Sequence, residues 1–403
     1  MEDLCFCTVS SKARLAHVNV LAESLSTYHP GAQIFCLLVD SMENFLDQVS
    51  LKKNIELIKT STLKNVPNFT ELFFKYNAFE ATTALKPYLC EHLFKTYNMR
   101  KLVYLDSDIY VTSNMDELNN MLEGFSIILT PHITQQLPLD GFHPDELTFL
   151  KAGAFNTGFI GISNMQETLN FLSWWKNRLW LFGIASAAEG MFMDQRWIDL
   201  VPSLFDKVYI LRNPGYNAAY WNLHERKFSF SEEKILVNDE LLKFFHFSGF
   251  DPDDIEVISK HQTRYKLVHF PELRTLFELY KKLLVENGYN TVRHWPYSYD
   301  FFDNGSEIPD RARRVYWSLG DKAKKFGDPF AIGRKNAFGK YYAKTLPLRY
   351  RSLDRIIEFG KRCKKFLRKF PRIERRARRF NVFLESWVDS KAFNFFGRNK
   401  RGE

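Results

Sequence analysis

The run KLVYLDSDIYV, from Lys101 to Val111, constrains the fold more than any other stretch of the chain. Its apolar residues predict a buried strand that ends at two carboxylates, Asp106 and Asp108. Two acids in a poorly solvated site raise each other's pKa unless a cation lies between them. The pattern therefore predicts either a site for a hard divalent cation such as Mg²⁺ or Mn²⁺, or an ordinary turn, in which Asp and Ser are common.

Length and composition indicate a globular chain. It has 403 residues, 45% of them hydrophobic, which is enough for one large core or two modest ones. Five cysteines without a CxxC pair predict reduced, mostly buried thiols, with a ligand pair at Cys5 and Cys7 as the alternative. No basic signal region precedes the first apolar strand, and charges interrupt the most apolar stretch, 171–193. These features predict a cytoplasmic protein without a membrane-spanning helix.

The positive charge of the chain is concentrated near its C-terminal end. Residues 361–403 contain fifteen Lys or Arg against four acids, whereas the whole chain has a formal net charge of +9. Apolar residues recur there at helical spacing, which predicts a basic amphipathic tail over residues 351–403. Such a tail favours an anionic membrane surface as its partner. The alternatives are that the tail packs on protein or binds nucleic acid. Of these partners the membrane surface is the one favoured, and a nucleic-acid partner is not expected.

Strands and helices are predicted to alternate over residues 1–270. Apolar runs predict strands at 4–9, 34–39, 55–58, 125–130 and 155–162, with helices between them, one of which covers 76–97. This order predicts an α/β fold with a mostly parallel sheet flanked by helices. Ligands bind beyond the carboxyl ends of such strands, where Ser10 and Lys12 would lie. Residues 271–350 are predicted to form a helical and aromatic-loop extension.

Four further motifs place polar side chains in apolar surroundings. Asn156 lies in a predicted strand that contains two glycines, and Asp194 and Gln195 either face a cleft or are satisfied internally. Asn217 lies in a loop rich in amides and aromatic rings, a mixture that suits a sugar site. His246 lies in an aromatic strand, where a satisfied core histidine is the common alternative to a ligand.

The order and spacing of these motifs resemble those of GT-A glycosyltransferases. The resemblance is to glycosyltransferase family 8, which includes glycogenin and bacterial lipopolysaccharide galactosyltransferases. It covers the first two thirds of the chain and is carried by YLDSD at 104–108, FNTG at 155–158, DQ at 194–195 and HFSG at 246–249. Each motif is weak alone, but four in register make a strong match. The resemblance implies a GT-A, Rossmann-like fold followed by a helical, basic C-terminal extension.

The resemblance also implies roles for particular residues. A Mn²⁺ or Mg²⁺ ion would hold the diphosphate of a nucleotide sugar, UDP-linked, with Asp106, Asp108 and His246 as its ligands. The residues implied at the reacting face of the donor sugar are Asn156, Asp194 and Gln195. The residues predicted to bind the donor or its metal are Ser10, Lys12, Lys86, Asp106, Ser107, Asp108, Asn217, Gly249 and Lys260.

The implied activity is transfer of a hexose, with retention, to a surface glycan or a lipid-linked saccharide at the inner face of the membrane. Front-face displacement is favoured, and a covalent intermediate on Asp194 is the competing mechanism. Two departures from the family are visible. Ser10 to Lys12 stand where the family has acidic residues, and the family's Lys-Pro-Trp after His-x-x-Gly is absent, so Lys260 either takes over the diphosphate contact or is a solvated charge. A non-catalytic protein that binds sugar or nucleic acid through its basic tail is the alternative function.

Overall fold

The computed structural model describes residues 4–42, 48–186, 189–232 and 234–345. The chain divides into two compact units, one made of residues 1–67 and 78–298 and the other of residues 68–77 and 299–403. The predicted boundary at residue 270 falls inside the first unit, and the domain division proposed from the sequence stays a prediction. The basic tail predicted over 351–403 lies outside the described residues.

The described strands all belong to the first unit. In chain order they are β1 (Leu4–Ser10), β2 (Ile34–Leu38), β3 (Ile55–Lys59), β4 (Lys101–Leu105), β5 (Ile109–Val111), β6 (Ile127–Pro131), β7 (Phe155–Ser163), β8 (Ala185–Ser186), β9 (Met191–Phe192), β10 (Val208–Ile210), β11 (Ala218–Ala219), β12 (Phe228–Ser231), β13 (Lys234–Val237), β14 (Glu240–Leu241) and β15 (Phe244–His246).

The described helices occur in both units. Those of the first unit are α1 (Leu15–Tyr28), α3 (Ala78–Ala84), α4 (Lys86–Thr96), α5 (Glu117–Gly124), α6 (Glu146–Ala152), α7 (Gln166–Phe182), α8 (Gln195–Ile198), α9 (Val201–Leu204), α10 (Arg274–Glu286) and α11 (Tyr289–Val292). Those of the second unit are α2 (Phe69–Lys75), α12 (Asp310–Leu319) and α13 (Phe338–Thr345). None of the helices in the described part of the chain combines the length and the apolar character that a bilayer crossing needs.

Seven of the described strands form one sheet in the order β10-β6-β7-β4-β1-β2-β3. Every neighbouring pair is parallel except those of β7, which runs antiparallel to both β4 and β6. Helices α1, α4 and α5 pack against its strands. The predicted α/β fold with a mostly parallel sheet is confirmed. Because β7 is reversed, its beginning meets the end of β4, and the Asp106 amide donates to Gly158 O at 2.8 Å.

A second, short sheet places His246 beside the two acids. Strand β15 pairs antiparallel with β5, and the register sets His246 opposite Ile109, the residue after Asp108. Successive side chains of a strand point to opposite faces. Accordingly, Phe244 belongs to a core cluster with residues of β1 and β4, whereas Phe245 belongs to another with residues of α10. Burial on both faces fixes the register and therefore the position of the imidazole.

The single helix predicted over 76–97 is wrong, because the chain forms two helices there, α3 and α4. The break falls at Leu85, and Pro87 occupies the first turn of α4. Proline has no amide hydrogen and its ring clashes with the carbonyl four residues earlier, so a helix begins here more easily than it continues. The break places Lys86 at the first position of α4, where its side chain is buried.

A buried arginine links helices α12 and α2 of the second unit. Arg313 on α12 is 1% exposed and donates to the carbonyl oxygens of Phe73 and Phe74, in the last turn of α2, and of Tyr76, its C-cap. Its other nitrogen donates to Asp300 Oδ1 at 2.8 Å. Carbonyls at the end of a helix lack partners in the helix itself, so this guanidinium satisfies them.

Candidate functional site

Three side chains that are far apart in sequence meet at the carboxyl end of β4. His246 Nε2 lies 3.1 Å from Asp108 Oδ1 and 4.0 Å from Asp106 Oδ2. Asp108 and His246 are buried, whereas the Asp106 side chain is 33% exposed. One ligand atom from each residue lies within 4.8 Å of the other two. Within the described residues, this is the one group of three or more His, Cys, Asp or Glu side chains close enough to share an ion.

The donor atoms of this group fit a divalent cation. An octahedral ion with bonds of about 2.1 Å holds its ligand atoms about 3 to 4.2 Å apart. The two distances from His246 Nε2 fall in that range, and two carboxylates with one imidazole form the mixed oxygen and nitrogen set that Mn²⁺ accepts. Asp106, Asp108 and His246 are therefore the residues that would hold an ion here.

The charge on Asp108 is supported from two sides. Burial alone would raise the pKa of this carboxyl, but Arg14 and His246 outweigh burial and hold the pKa well below its usual range. Arg14 donates to Asp108 Oδ2 at 2.9 Å. A carboxylate that remains ionised is ready to bind a cation without first releasing a proton.

A buried ammonium group neutralises the inner side of the site. Lys86 Nζ lies 2.9 Å from Asp194 Oδ2 and 3.3 Å from Asp106 Oδ1, and it donates to Thr157 O at 3.0 Å. Burial lowers the pKa of Lys86, but the two carboxylates overcome this effect and raise it. Burial raises the pKa of Asp194 even with Lys86 beside it. The Lys86 ammonium is therefore the counter-charge that offsets the cost of burying Asp194, which is 1% exposed.

A chain of amides continues from His246 into the apolar interior. His246 Nδ1 lies 3.1 Å from Asn217 Oδ1, and Asn217 Nδ2 donates to Asn156 Oδ1 at 3.1 Å. Asn156 Nδ2 in turn donates to Gln195 Oε1 at 3.2 Å. Because Asn217 Oδ1 only accepts, Nδ1 carries a proton, and Nε2 is the ring nitrogen that faces the carboxylates. Asn217 adopts φ +53, which asparagine tolerates better than most residues.

A steric constraint explains why the FNTG motif has a glycine at position 158. A Cβ at Gly158 would lie 2.3 Å from His246 Cε1 and 2.8 Å from Asn156 Oδ1. Gly249 of the HFSG motif has φ +72, and a Cβ there would lie 2.4 Å from His261 Cδ2. Gly158 therefore keeps room for two polar side chains of the site, whereas Gly249 keeps room for His261, and its contact with a donor stays a prediction.

Four more of the predicted donor-binding residues have the following surroundings. Lys12 is buried, lies 3.4 Å from Asp40 Oδ1 and donates to Ser298 Oγ at 2.7 Å. Ser10 is buried at the end of β1, and its hydroxyl donates to the carbonyl of the next residue. Lys260 is exposed, and its amide donates to Gly249 O at 3.0 Å. Ser107 is buried between the two aspartates. Their contacts with a donor stay predictions.

Several site residues were absent from the sequence-based set. Arg14 bonds Asp108, the Tyr104 hydroxyl donates to Asp106 Oδ1 at 2.8 Å, and His132 Nε2 lies 3.3 Å from Asn156 Nδ2. Tyr104 was visible in the YLDSD motif, where its position two residues before Asp106 puts both side chains on one face. Arg14 and His132 gave no comparable signal, because their partners are 94 and 24 residues away.

No family model matches the chain. Two curated proteins of Bacillus subtilis strain 168 are similar to it in sequence. The uncharacterized protein YfnF is 26% identical over 288 residues, which are 69% of this chain and 91% of YfnF. The uncharacterized protein YfnD is 21% identical over 253 residues, which are 62% of this chain and 79% of YfnD.

Two solved structures of the galactosyltransferase LgtC are similar to this chain. One, in complex with donor and acceptor sugar analogues, has a TM-score of 0.42 and 15% identity, and covers 70% of this chain and 96% of LgtC. The other, an active-site mutant of LgtC, has a TM-score of 0.39 and 14% identity with the same coverage. These values are too low to assign an activity, which has to be argued from the side chains of the site.

Proposed function

We propose that this protein is a metal-dependent glycosyltransferase that moves a hexose from a UDP-linked sugar to a saccharide acceptor. The observation that carries the proposal is the group formed by Asp106, Asp108 and His246 at the carboxyl end of β4, with ligand atoms within 4.8 Å of one another. Ligands of mostly parallel α/β sheets bind at this edge. The sequence motifs that resemble glycosyltransferase family 8 converge on the same place.

The surroundings of the group suit a diphosphate leaving group. A bound Mn²⁺ or Mg²⁺ ion would supply positive charge that neutralises the leaving diphosphate. The protein itself contributes the buried Lys86 ammonium, whose charge opposes that of Asp106 and Asp194. It also contributes the fixed Nε2 of His246, oriented through Asn217. Because these groups are held in place before a ligand enters, little reorganisation is required on binding.

The arrangement of Asp194 and Gln195 favours front-face displacement with retention. Asp194 is buried in an ion pair with Lys86, which leaves it poorly placed as a nucleophile. Gln195 donates to Ala152 O at 2.9 Å and accepts from Asn156, so its amide is fixed as well. We assign both residues, with Asn156, to the reacting face of the donor sugar, where they orient it and where the leaving diphosphate assists deprotonation of the acceptor.

The acceptor that we propose is a surface glycan or a lipid-linked saccharide. The support is the excess of basic residues in 361–403, which suits an anionic membrane surface. A protein held at the inner face of the membrane by this tail would meet acceptors attached to lipid. We propose no nucleic-acid partner.

The test is a screen of nucleotide sugars by thermal shift with and without Mn²⁺, followed by measurement of donor hydrolysis and transfer. A donor that binds the native state raises its melting temperature, and we expect this rise only when Mn²⁺ is present. D108N should abolish both the rise and the turnover. D253N is the matched control, because it removes an exposed aspartate that pairs with Arg293 outside the site.

Full turnover by D108N would refute the metal role. If no nucleotide sugar is turned over and loss of residues 351–403 removes polyanion binding, the protein belongs instead to the non-catalytic class that binds sugar or nucleic acid through its tail.

A further inference from the structure

We propose that Arg14 is a positioning residue of the metal centre. Its guanidinium fixes the oxygen of Asp108 that faces away from His246, and His17 fixes the guanidinium. The inference rests on the proposed function, because the role concerns the ion that Asp106, Asp108 and His246 would hold. None of the sequence motifs includes Arg14 or His17.

The two carboxylate oxygens of Asp108 have different partners. Oδ1 lies 3.1 Å from His246 Nε2, whereas Oδ2 accepts a hydrogen bond from Arg14 at 2.9 Å. Asp106 is arranged in the same way, because its Oδ2 is the oxygen near His246 and its Oδ1 accepts from the Tyr104 hydroxyl at 2.8 Å. Each acid thus has one oxygen on the side of the cluster and one that a neighbouring donor holds. Such outer donors orient metal ligands and tune their affinity.

His17 holds the other arm of the guanidinium. Arg14 Nη1 lies 3.0 Å from His17 Nε2, and because a guanidinium only donates, Nε2 accepts and the imidazole proton is on Nδ1. His17 is 5% exposed on α1, and its ring packs edge-on against Tyr289. The planar fork of Arg14 therefore spans two acceptors that the fold keeps still. A lysine ammonium in its place would lack this geometry.

The solvent exposure of the Arg14 side chain indicates that the residue matters more for metal binding than for the stability of the fold. Its side chain is 44% exposed, so its own charge stays partly solvated, and Asp108 keeps His246 as a partner when Arg14 is removed. Asp108, its partner, is only 12% exposed and lies in the metal group. Loss of Arg14 is therefore expected to change the orientation of a metal ligand more than the stability of the fold.

The experiment measures Mn²⁺ affinity directly, by the electron paramagnetic resonance signal of free Mn²⁺, on the full chain without donor. We expect R14Q to bind Mn²⁺ about 10- to 100-fold more weakly, as for losses of other outer-shell partners. R14K should fall between R14Q and wild type, because its ammonium reaches one acceptor and not both. R274Q is the matched control, because Arg274 on α10 has a similar side-chain exposure and pairs with Glu256, which is outside the metal group, so its Mn²⁺ affinity should be unchanged.

A double-mutant cycle tests the link to His17. H17M removes the acceptor and should weaken Mn²⁺ binding in the wild-type background but not in R14Q, since its effect passes through Arg14. H17Q keeps an acceptor near the position of Nε2 and should retain most of the affinity. Urea unfolding of each variant without Mn²⁺ confirms that the compared proteins are folded.

Three results would overturn the proposal. Unchanged Mn²⁺ affinity in R14Q would remove the positioning role, and a raised KM for the donor in the same variant would make Arg14 a donor ligand instead. Tighter Mn²⁺ binding in R14Q would make Arg14 a cation that competes with the ion. Unchanged Mn²⁺ affinity in D108N would remove the metal centre itself, and this outcome separates a failure of the proposed function from a failure confined to Arg14.

Discussion

Lys86 Nζ lies 2.9 Å from Asp194 Oδ2, and both side chains are at most 3% exposed. The same ammonium lies 3.3 Å from Asp106, so one buried cation serves two carboxylates. An ion pair of this kind stabilises the fold only while it is complete, because each charge left alone has lost its solvation.

Removal of the lysine charge should therefore destabilise the protein. We expect K86M to lower the free energy of unfolding by about 3 to 5 kcal/mol, measured by urea denaturation, because it leaves Asp194 buried without its cation. K86M/D194N should recover part of this loss, since it removes one of the uncompensated charges. A K86M protein as stable as wild type would contradict the assignment of Lys86 as the internal counter-ion.

Substitution of Gly158 should damage the metal group through sterics alone. In G158A the new Cβ would overlap His246 Cε1, so the imidazole must move, and we expect weaker Mn²⁺ binding together with a loss of about 1 to 3 kcal/mol in unfolding free energy. G124A is the control, because nothing lies within 4 Å of a Cβ at Gly124. Wild-type Mn²⁺ affinity in G158A would show that the position of His246 is not critical.

The free energy of unfolding should decrease in acid because the folded protein buries His132 in its neutral form. Burial lowers the pKa of His132 from 6.5 to about 4, with the nearby His246 adding to the effect. Between these pH values His132 is therefore protonated in the unfolded chain but neutral in the folded chain. The contribution is fully present above pH 6.5 and is lost as the pH falls toward 4, by about 3 kcal/mol for the whole shift.

The check is urea unfolding of wild type and H132Q at neutral pH and near pH 4.5. Glutamine does not titrate, so the advantage of wild type over H132Q should shrink at the lower pH. His17 also has a lowered pKa, because of burial and Arg14, and it remains in both proteins, so its contribution cancels in the comparison. An equal stability difference at both pH values would exclude a buried neutral His132.

Truncation after Thr345 should abolish association with anionic vesicles. The removed segment includes residues 361–403, whose fifteen basic residues outnumber four acids. Attraction of this kind is screened by salt, so sedimentation of the full chain with anionic vesicles should decrease as ionic strength rises. Neutral vesicles are the control for the lipid charge. Sedimentation of the truncated protein at wild-type levels would assign membrane binding to another surface.

The apolar pattern of the sequence predicted those strands and helices that depend mainly on neighbouring residues in the chain. The strand before Asp106 and the mostly parallel sheet follow from runs of apolar residues, and the structure contains them. The break before α4 also had a local signal in Pro87, but the apolar periodicity on both sides outweighed it. The meeting of Asp106, Asp108 and His246 was predicted only through the resemblance to a family, because no local pattern joins positions 138 residues apart.

The residues that local patterns missed have their partners elsewhere in the chain. The bond from Lys12 to Ser298 joins residues 286 positions apart, and no local pattern predicts it, whereas the contact of Lys12 with a donor stays a prediction. Arg14 lies in the same loop and reaches Asp108 across 94 residues. The partners of long polar side chains are determined by the tertiary structure. Motif spacing and hydrophobic periodicity therefore do not predict them.

The contact between Gly158 and His246 implies a rule for the evolution of such chains. Because a methyl group at position 158 would occupy the space of the imidazole, the two positions are not free to drift independently. A descendant that keeps the histidine in its present position must retain the glycine, whereas one that has replaced the histidine with a smaller residue is released from the constraint. Paired substitution at these two sites would therefore mark lineages that have abandoned metal binding, even where both aspartates persist.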